Sequence, residues 1–496
     1  MMKYIKNLLL AVFAVIMGTT AVACSSDNGG GSGSEVRFKV DPTTLSFTGD
    51  ASTQSFTVRA AGKPTVTSNA DWCTVSYQSD AANVYTYAVS VAENSNDLRS
   101  TTVKVVYGTS MKEVVVSQTK KEVVVPEGNM KHSAKELAAL IYAGINIGNT
   151  MECTDAEGSW NQGGVKVNEA YIRGLKAAGF NAVRIPCAWA SHFSDKANYT
   201  ISADWLDRVY EVVAWCVSND LYVVLNAHWD GGWLEDNIFD ASKEASILAE
   251  QKAIWKQVAE KFNAFDEHLL FAASNEPGMN ETSGNDAKWK DATAVARVVE
   301  YEQAMIDVVR ATGGNNANRC LIVQGLGASI TNTIDYMTTL PTDAVKDRLM
   351  VEDHFYEPYQ FCLMEQDADW GKVYYYWGQD NKVSGSDRNT PDASAETWVD
   401  TQMAKMKAKY VDQGIPVILG EYSASFRTVG EGEDQSKHDA SVAYYGEYVT
   451  KVAKNNGCVP FYWETGTVID RTTGTVKKQA VVDGLMKGAK EGKYPY

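Results

Sequence analysis

Leu269-Leu270-Phe271-Ala272-Ala273-Ser274-Asn275-Glu276-Pro277 is an apolar run that turns abruptly polar. It is short for a buried helix and lacks polar alternation, so it reads as a strand covered on both faces, the habit of parallel sheets. The same figure recurs at Ala143–Ile147, Ala182–Ile185, Tyr222–Leu225, Leu321–Val323, Leu349–Val351, Pro416–Leu419 and Val459–Tyr462. Helical stretches lie between these runs. In one of them Trp205, Val209, Val212, Val213 and Cys216 share a face. Eight strand–helix units over residues 131–496 match a (β/α)8 barrel, an α/β fold. In that fold every strand ends at the same mouth, where active sites are built.

The residues directly after these runs therefore converge. The strand ends supply Asn149, Arg184, His228-Trp229-Asp230, Asn275-Glu276, Gln324, Asp353-His354-Phe355-Tyr356, Glu421 and Trp463-Glu464. Contact with solvent accounts for one or two polar positions, not for an Arg, two His, an Asn, two Glu, a Tyr and a Trp around one cavity. No nucleophilic Ser or Cys motif and no Gly-rich phosphate loop is apparent. His228 and Asp230 hint at a metal, but there is no His-x-His and there are six histidines in all. Neither a metal nor a cofactor is expected. There remain Glu276 and Glu421, two carboxyl groups on opposite walls. A glycosidic bond needs such a pair, one group to protonate the leaving oxygen and the other to attack the anomeric carbon. The acid must carry its proton at the outset and act as base once the nucleophile's charge is consumed. Asn275 is placed to bond the sugar 2-hydroxyl, and Tyr356 and Arg184 to orient the nucleophile.

Gly144-Ile145-Asn146-Ile147-Gly148-Asn149-Thr150, Val183-Arg184-Ile185-Pro186, Asn226-Ala227-His228, Asn275-Glu276-Pro277, His354-Phe355-Tyr356 and Gly420-Glu421-Tyr422 occur in this order. Together they resemble glycoside hydrolase family 5, and the resemblance spans nearly all of residues 131–496. It implies retention of configuration, with Glu276 as acid/base and Glu421 as nucleophile. It also implies substrate binding by Arg184, His228, Asn275, His354 and Tyr356, with Trp463 as a stacking floor and Trp229 and Asn149 nearby. The pattern is similar to subfamily 4, which holds endoglucanases, mixed-linkage glucanases and xyloglucanases, but departs from it at Ile145, Trp229 and Phe355. Those departures leave the chemistry intact and the backbone sugar open. An endo-β-1,4-glucanase is expected; an endo-β-1,4-mannanase with the same pair and a carbohydrate-capturing surface lipoprotein are the alternatives. Aromatic loops suit an open cleft for several sugars: Trp229 and Trp233 after the third strand, and Phe361, Trp370, Tyr374, Tyr375, Tyr376 and Trp377 after the sixth. About half of these are expected to pack inward. Residues 378–396 read as a mobile rim.

Upstream the texture changes. Val84-Tyr85-Thr86-Tyr87-Ala88-Val89-Ser90-Val91 and Thr101-Thr102-Val103-Lys104-Val105-Val106-Tyr107 alternate with period two. Turn residues separate such runs, as an immunoglobulin-like β-sandwich requires. Ser68 to Trp72, Asn94 to Arg99 and Val116 to Thr119 resemble the BACON domain, placed at 36–122. Trp72 suits a core anchor better than a sugar platform. Pro126 and Gly128 mark a linker at 123–130. At the N-terminus, Lys3 and Lys6 precede the apolar stretch Leu8–Met17, which is too short to span a bilayer. Ala21-Val22-Ala23-Cys24 then resembles a lipoprotein signal with Cys24 as the acylated residue. Residues 25–35 are a Gly/Ser tether. An exported bacterial lipoprotein on the outer membrane or cell surface is expected, monomeric and touching membrane only through its anchor. A formal net charge of -16 argues against nucleic acid and anionic membranes as partners and suits a neutral polysaccharide. Eight cysteines without paired spacing are expected to be mostly free, buried thiols.

Overall fold

The computed structural model describes residues 36–94, 98–121, 128–282 and 284–496. The signal, Cys24, the tether and most of the linker lie outside these residues. The chain divides into two compact units, residues 36–121 and 128–496. No described helix is long and apolar enough to cross a membrane.

The first unit has two four-stranded sheets. One orders Lys39–Asp41, Ser52–Arg59, Val84–Val91 and Cys73–Ala81. The other orders Thr44–Phe47, Ser110–Gln118, Arg99–Tyr107 and Thr65–Ser68, with Thr44–Phe47 parallel to its neighbour. Alternate residues of both sheets, among them Phe56, Val58, Val89, Val103, Val105, Val114 and Val116, form one core. Trp72 packs against that core, with the Arg99 guanidinium 4.3 Å from its ring centre. Arg99 also holds the buried Gln118, whose amide donates to the Ala92 carbonyl at 3.0 Å. Trp72 is therefore an anchor in a polar clasp.

The second unit is a closed parallel barrel of eight strands. They are β1 (Gly144–Asn146), β2 (Ala182–Ile185), β3 (Tyr222–Asn226), β4 (Leu269–Ala272), β5 (Leu321–Ser329), β6 (Leu349–Phe355), β7 (Val417–Tyr422) and β8 (Cys458–Tyr462). Strand parity sorts the side chains. Val223 and Leu225 join the core between strands and helices, whereas Val224 joins an inner cluster with Leu270, Ile322, Met350, Ile418 and Phe461. The helix Ala134–Leu140, started by a Ser133/Glu136 capping box, closes the bottom with Leu137 and Ala138. Two residues further along each strand the same inward parity brings Asn226, Gln324, Glu352 and, on β2, Arg184, all buried. The barrel interior is thus apolar at its base and polar one layer below the mouth.

Candidate active site

Glu421 stands on β7 in register with His354 on β6, just above a break in the pairing of those strands. One carboxylate oxygen of Glu276, one of Glu421 and a ring nitrogen of His354 all lie within 4.8 Å of one another. Arg184, fully buried, donates to Glu421 Oε1 at 2.7 Å and to Asn146 Oδ1 at 3.1 Å. Its other terminal nitrogen donates to Asn275 Oδ1 at 2.8 Å. Asn275 therefore has N–H donors left to offer a substrate. Tyr356 donates its hydroxyl to Glu421 Oε2 at 2.8 Å. Burial, and then the Glu421 charge, push the Tyr356 phenol well above its ordinary value, so it remains a donor. Both oxygens of Glu421 are thus held by named donors.

Glu276 follows β4 on a segment pinned from below. Its backbone N–H donates to Glu235 Oε1 at 2.6 Å, and its Oε1 faces His354 Nδ1 at 2.7 Å. Burial opposes charge on His354, but Glu421, Glu276 and Glu352 overcome this and push it up to about 10. His228 goes the other way. Burial, then Arg184 and His354, hold it well below the usual histidine range, so it is neutral. Asn226 Oδ1 accepts from the Cys187 backbone, which turns its amide nitrogen toward His228 Nδ1 at 3.2 Å. His228 Nε2 then carries the proton and is a donor. The His228 ring lies nearly parallel to Trp463, 6.1 Å between centres. Gly148 leaves the space that Trp463 fills, since a Cβ there would meet its ring at 2.8 Å.

Glu276, His354, Tyr356, Glu421 and Trp463 line an open cavity of about 470 Å³ together with Met279, Tyr359 and Leu363. A second cavity of about 340 Å³ lies against Trp463, with Ser423, Ser425, Phe426, Thr465 and Thr467. Glu276, Glu421 and His354 are close enough to hold a cation. However, the Arg184 guanidinium and the protonated His354 already supply the positive charge there, so the donor set suits a proton-transfer site better than a metal.

Seven of the residues singled out in the sequence meet here: Arg184, His228, Asn275, Glu276, His354, Tyr356 and Glu421, with Trp463 beside them. Trp229 is next to the site but ties its indole N–H to Asp236 at 3.1 Å. Asn149 takes a left-handed turn (φ 58°), its side chain directed at the Trp160 carbonyl at 3.4 Å. Two strand-end acids turn away from the mouth. Asp230 accepts from the backbones of Trp189 at 2.6 Å and Ser191 at 3.0 Å. Glu464 accepts from those of Val468 and Ile469. Both shape loops. Of the loop aromatics, Phe361, Tyr376 and Trp377 are buried and Trp370 is exposed beside Tyr359. Residues 378–396, read as a rim, are stitched by Asn389, which bonds the Val383 backbone in both directions at 2.9 and 2.8 Å. Glu235, Glu352 and Asn146 escaped the sequence reading. The signal for Glu352 was an acid directly continuing the apolar run Leu349–Val351.

The model of the cellulase family, glycosyl hydrolase family 5, matches residues 145–467, and a viral BACON domain model matches 37–121. The xyloglucan-specific endo-beta-1,4-glucanase BoGH5A of Bacteroides ovatus is 31% identical over 96% of this chain and 95% of its own length. Endoglucanase A of Paenibacillus barcinonensis is 31% identical over 72% of this chain and 90% of its own. Among solved structures, a Bacteroides ovatus GH5 xyloglucanase in complex with a XXXG heptasaccharide is 29% identical. It covers 92% of this chain and 100% of its own, with a TM-score of 0.66. XEG5B, a GH5 xyloglucan-specific beta-1,4-glucanase from a ruminal metagenomic library, is 38% identical over 74% of this chain and 98% of its own, with a TM-score of 0.67.

Proposed function

The chain belongs to glycosyl hydrolase family 5, and from that premise we propose that it is a retaining endo-β-1,4-glucanase whose preferred backbone is xyloglucan. The observation that carries the reaction type is the approach of Glu276 and Glu421 to within 4.8 Å, oxygen to oxygen. Direct attack by a carboxylate needs carboxyl groups about 5–5.5 Å apart, and an interposed water needs about 6.5–9.5 Å. The likeness to xyloglucan-specific relatives, one of them over nearly the whole length, supports the choice of backbone.

In the first step a Glu421 oxygen attacks the anomeric carbon of the sugar over Trp463. The glycosidic bond breaks, and the proton on Glu276 passes to the departing oxygen. Arg184 and Tyr356 hold the two Glu421 oxygens in line before attack. The neutral His228 and the Asn275 amide offer N–H donors to the sugar's hydroxyl groups. In the second step the Glu276 carboxylate takes a proton from water, the water oxygen attacks the same carbon, and the ester to Glu421 breaks. The new chain end keeps its configuration, and both carboxyl groups return to their starting states. His354 Nδ1 stands 2.7 Å from Glu276 Oε1, within hydrogen-bond reach of the carboxyl group that gives and takes the proton.

Reducing-end release from xyloglucan, carboxymethylcellulose, lichenan and glucomannan, measured side by side, tests the reading. Xyloglucan should be cut fastest; glucomannan as the best substrate would favour the mannanase. For the N-terminus we propose a lipid-anchored, exported form acylated at Cys24. Cys24→Ser should lose radiolabelled palmitate and move from membranes to the soluble fraction.

A further inference from the structure

Beneath the two catalytic carboxyl groups lies a third carboxylate that neither step uses. Glu352 is fully buried on β6, two residues before His354, so both side chains point into the barrel. One of its oxygens lies 2.7 Å from Arg184 Nε and 3.3 Å from His354 Nε2. The Arg184 Nε–H does not point along the first contact, so that pairing is ionic rather than a hydrogen bond. The other oxygen accepts from Gln324 Nε2 at 3.0 Å. The barrel wall is cut to receive this group. A Cβ on Gly420, the residue before Glu421, would stand 2.0 Å from Glu352 Oε1.

The two cations it touches each hold one catalytic group: Arg184 holds Glu421, and His354 holds Glu276. We propose that Glu352 is a positioning residue, the shared counter-ion that fixes Arg184 and His354 beneath the cleft and keeps a proton on His354 where Glu276 can draw on it. This role deepens the proposed glucanase activity and rests on its assignment of Glu276 and Glu421.

The surroundings support an ionised Glu352. Burial works against its charge, but Arg184 and His354 outweigh burial and hold it below the ordinary carboxylate range. Its acidic neighbours do not compete. Glu302, on the helix Ala292–Ala311, is pushed well above its usual value by burial, and Asp353, bonded to Thr333, to about 7 by burial. Glu235 is pushed up to about 8 by burial and by Glu276. Around His354 the charged and titratable groups are Glu276 after β4, Glu421 on β7, Arg184 on β2, Glu352 and Asp353 on its own strand, Tyr356 just past the end of that strand, Glu235, and the neutral His228 after β3. Removing the Glu352 charge leaves two cations sharing fewer anions, and the proton that can leave is the one on His354.

The test is Glu352→Gln, which keeps the side chain's size and drops its charge. The pH profile of kcat/KM on the best-hydrolysed β-glucan should show its basic limb moved down by about 1–3 units, the range for loss of one close opposite charge. The ring resonances of His354, followed by NMR, should titrate lower by the same amount. Glu352→Asp, which keeps the charge, should hold the basic limb near the wild-type position. A fall in rate at every pH with the limb and the His354 titration unmoved would overturn the proposal, leaving Glu352 a packing residue. If Glu352→Gln does not fold, Glu352→Asp and the wild type decide. A His354 that titrates near its ordinary value in the wild type overturns it, as does a limb in Glu352→Asp displaced by more than one unit. The NMR titration needs no substrate, so a wrong backbone assignment would leave its answer standing.

Discussion

Glu276→Ala separates the two jobs assigned to one carboxyl group. Its side chain is a quarter exposed and closes the cleft wall rather than filling the core, so the variant should fold. Arg184 and Tyr356 still bond Glu421, which leaves the attacking group intact. What disappears is the proton delivered to the leaving oxygen, worth roughly 10²–10⁴-fold, or about 3–5.5 kcal/mol at about 1.4 kcal/mol per tenfold. On polysaccharide, whose sugar leaving group needs that proton, kcat/KM should fall by the full factor. On a dinitrophenyl cellobioside, whose leaving group departs unaided, kcat/KM should stay within about tenfold of wild type. Its steady-state rate should collapse, because the second step has lost its base. Stopped-flow absorbance should then show a burst of about one phenolate per enzyme. Equal losses on both substrates with no burst would refute the assignment of Glu276 as acid/base.

Glu421→Ala should abolish turnover on every substrate while calorimetry still detects binding of a xyloglucan oligosaccharide. Tyr356→Phe removes one charge-assisted hydrogen bond to Glu421, worth about 1.5–3 kcal/mol, and kcat/KM should drop roughly 10- to 150-fold. Trp463→Ala should weaken oligosaccharide binding by about 1–3 kcal/mol, the scale of a lost buried aromatic platform, with intrinsic fluorescence no longer responding to ligand. Glu235 is pushed up to about 8 by burial and then by Glu276. A carboxyl raised on folding lends its stability below the unfolded value near 4.3 and loses it as pH rises through the folded value. Melting temperature should therefore decline between about pH 4.5 and 8, and Glu235→Gln, which keeps the acceptor for the Glu276 backbone, should flatten that decline.

The apolar runs located the barrel because a strand covered on both faces has no choice but to be apolar. Ala182–Ile185 and Leu269–Ala272 end where the sequence placed them. The same rule cut several strands short, β5 and β6 by the most. β5 and β6 continue through Gln324 and Glu352 to Ser329 and Phe355, since the upper interior of this barrel is polar. Glu352 was hidden for that reason: a charged residue in a buried strand is legible only once its two cations are known. Glu235 lies some forty positions from the backbone it supports, and no local pattern links it to Glu276. Asp230 and Glu464 misled in the opposite sense. Acids at strand ends look like site groups, but unsatisfied loop N–H groups claim them first.

The seven thiols of the described residues are all buried and unpaired. Each is shielded from reagents until its own part of the chain opens. Cys73 belongs to the sandwich, and Cys153, Cys187, Cys216, Cys320, Cys362 and Cys458 to the barrel. Alkylation followed by peptide mass mapping would time the opening of each unit separately in the unmodified protein, with no label added beforehand. Reducing agents should leave the native enzyme unaltered, because there is no bridge among these residues for them to cut.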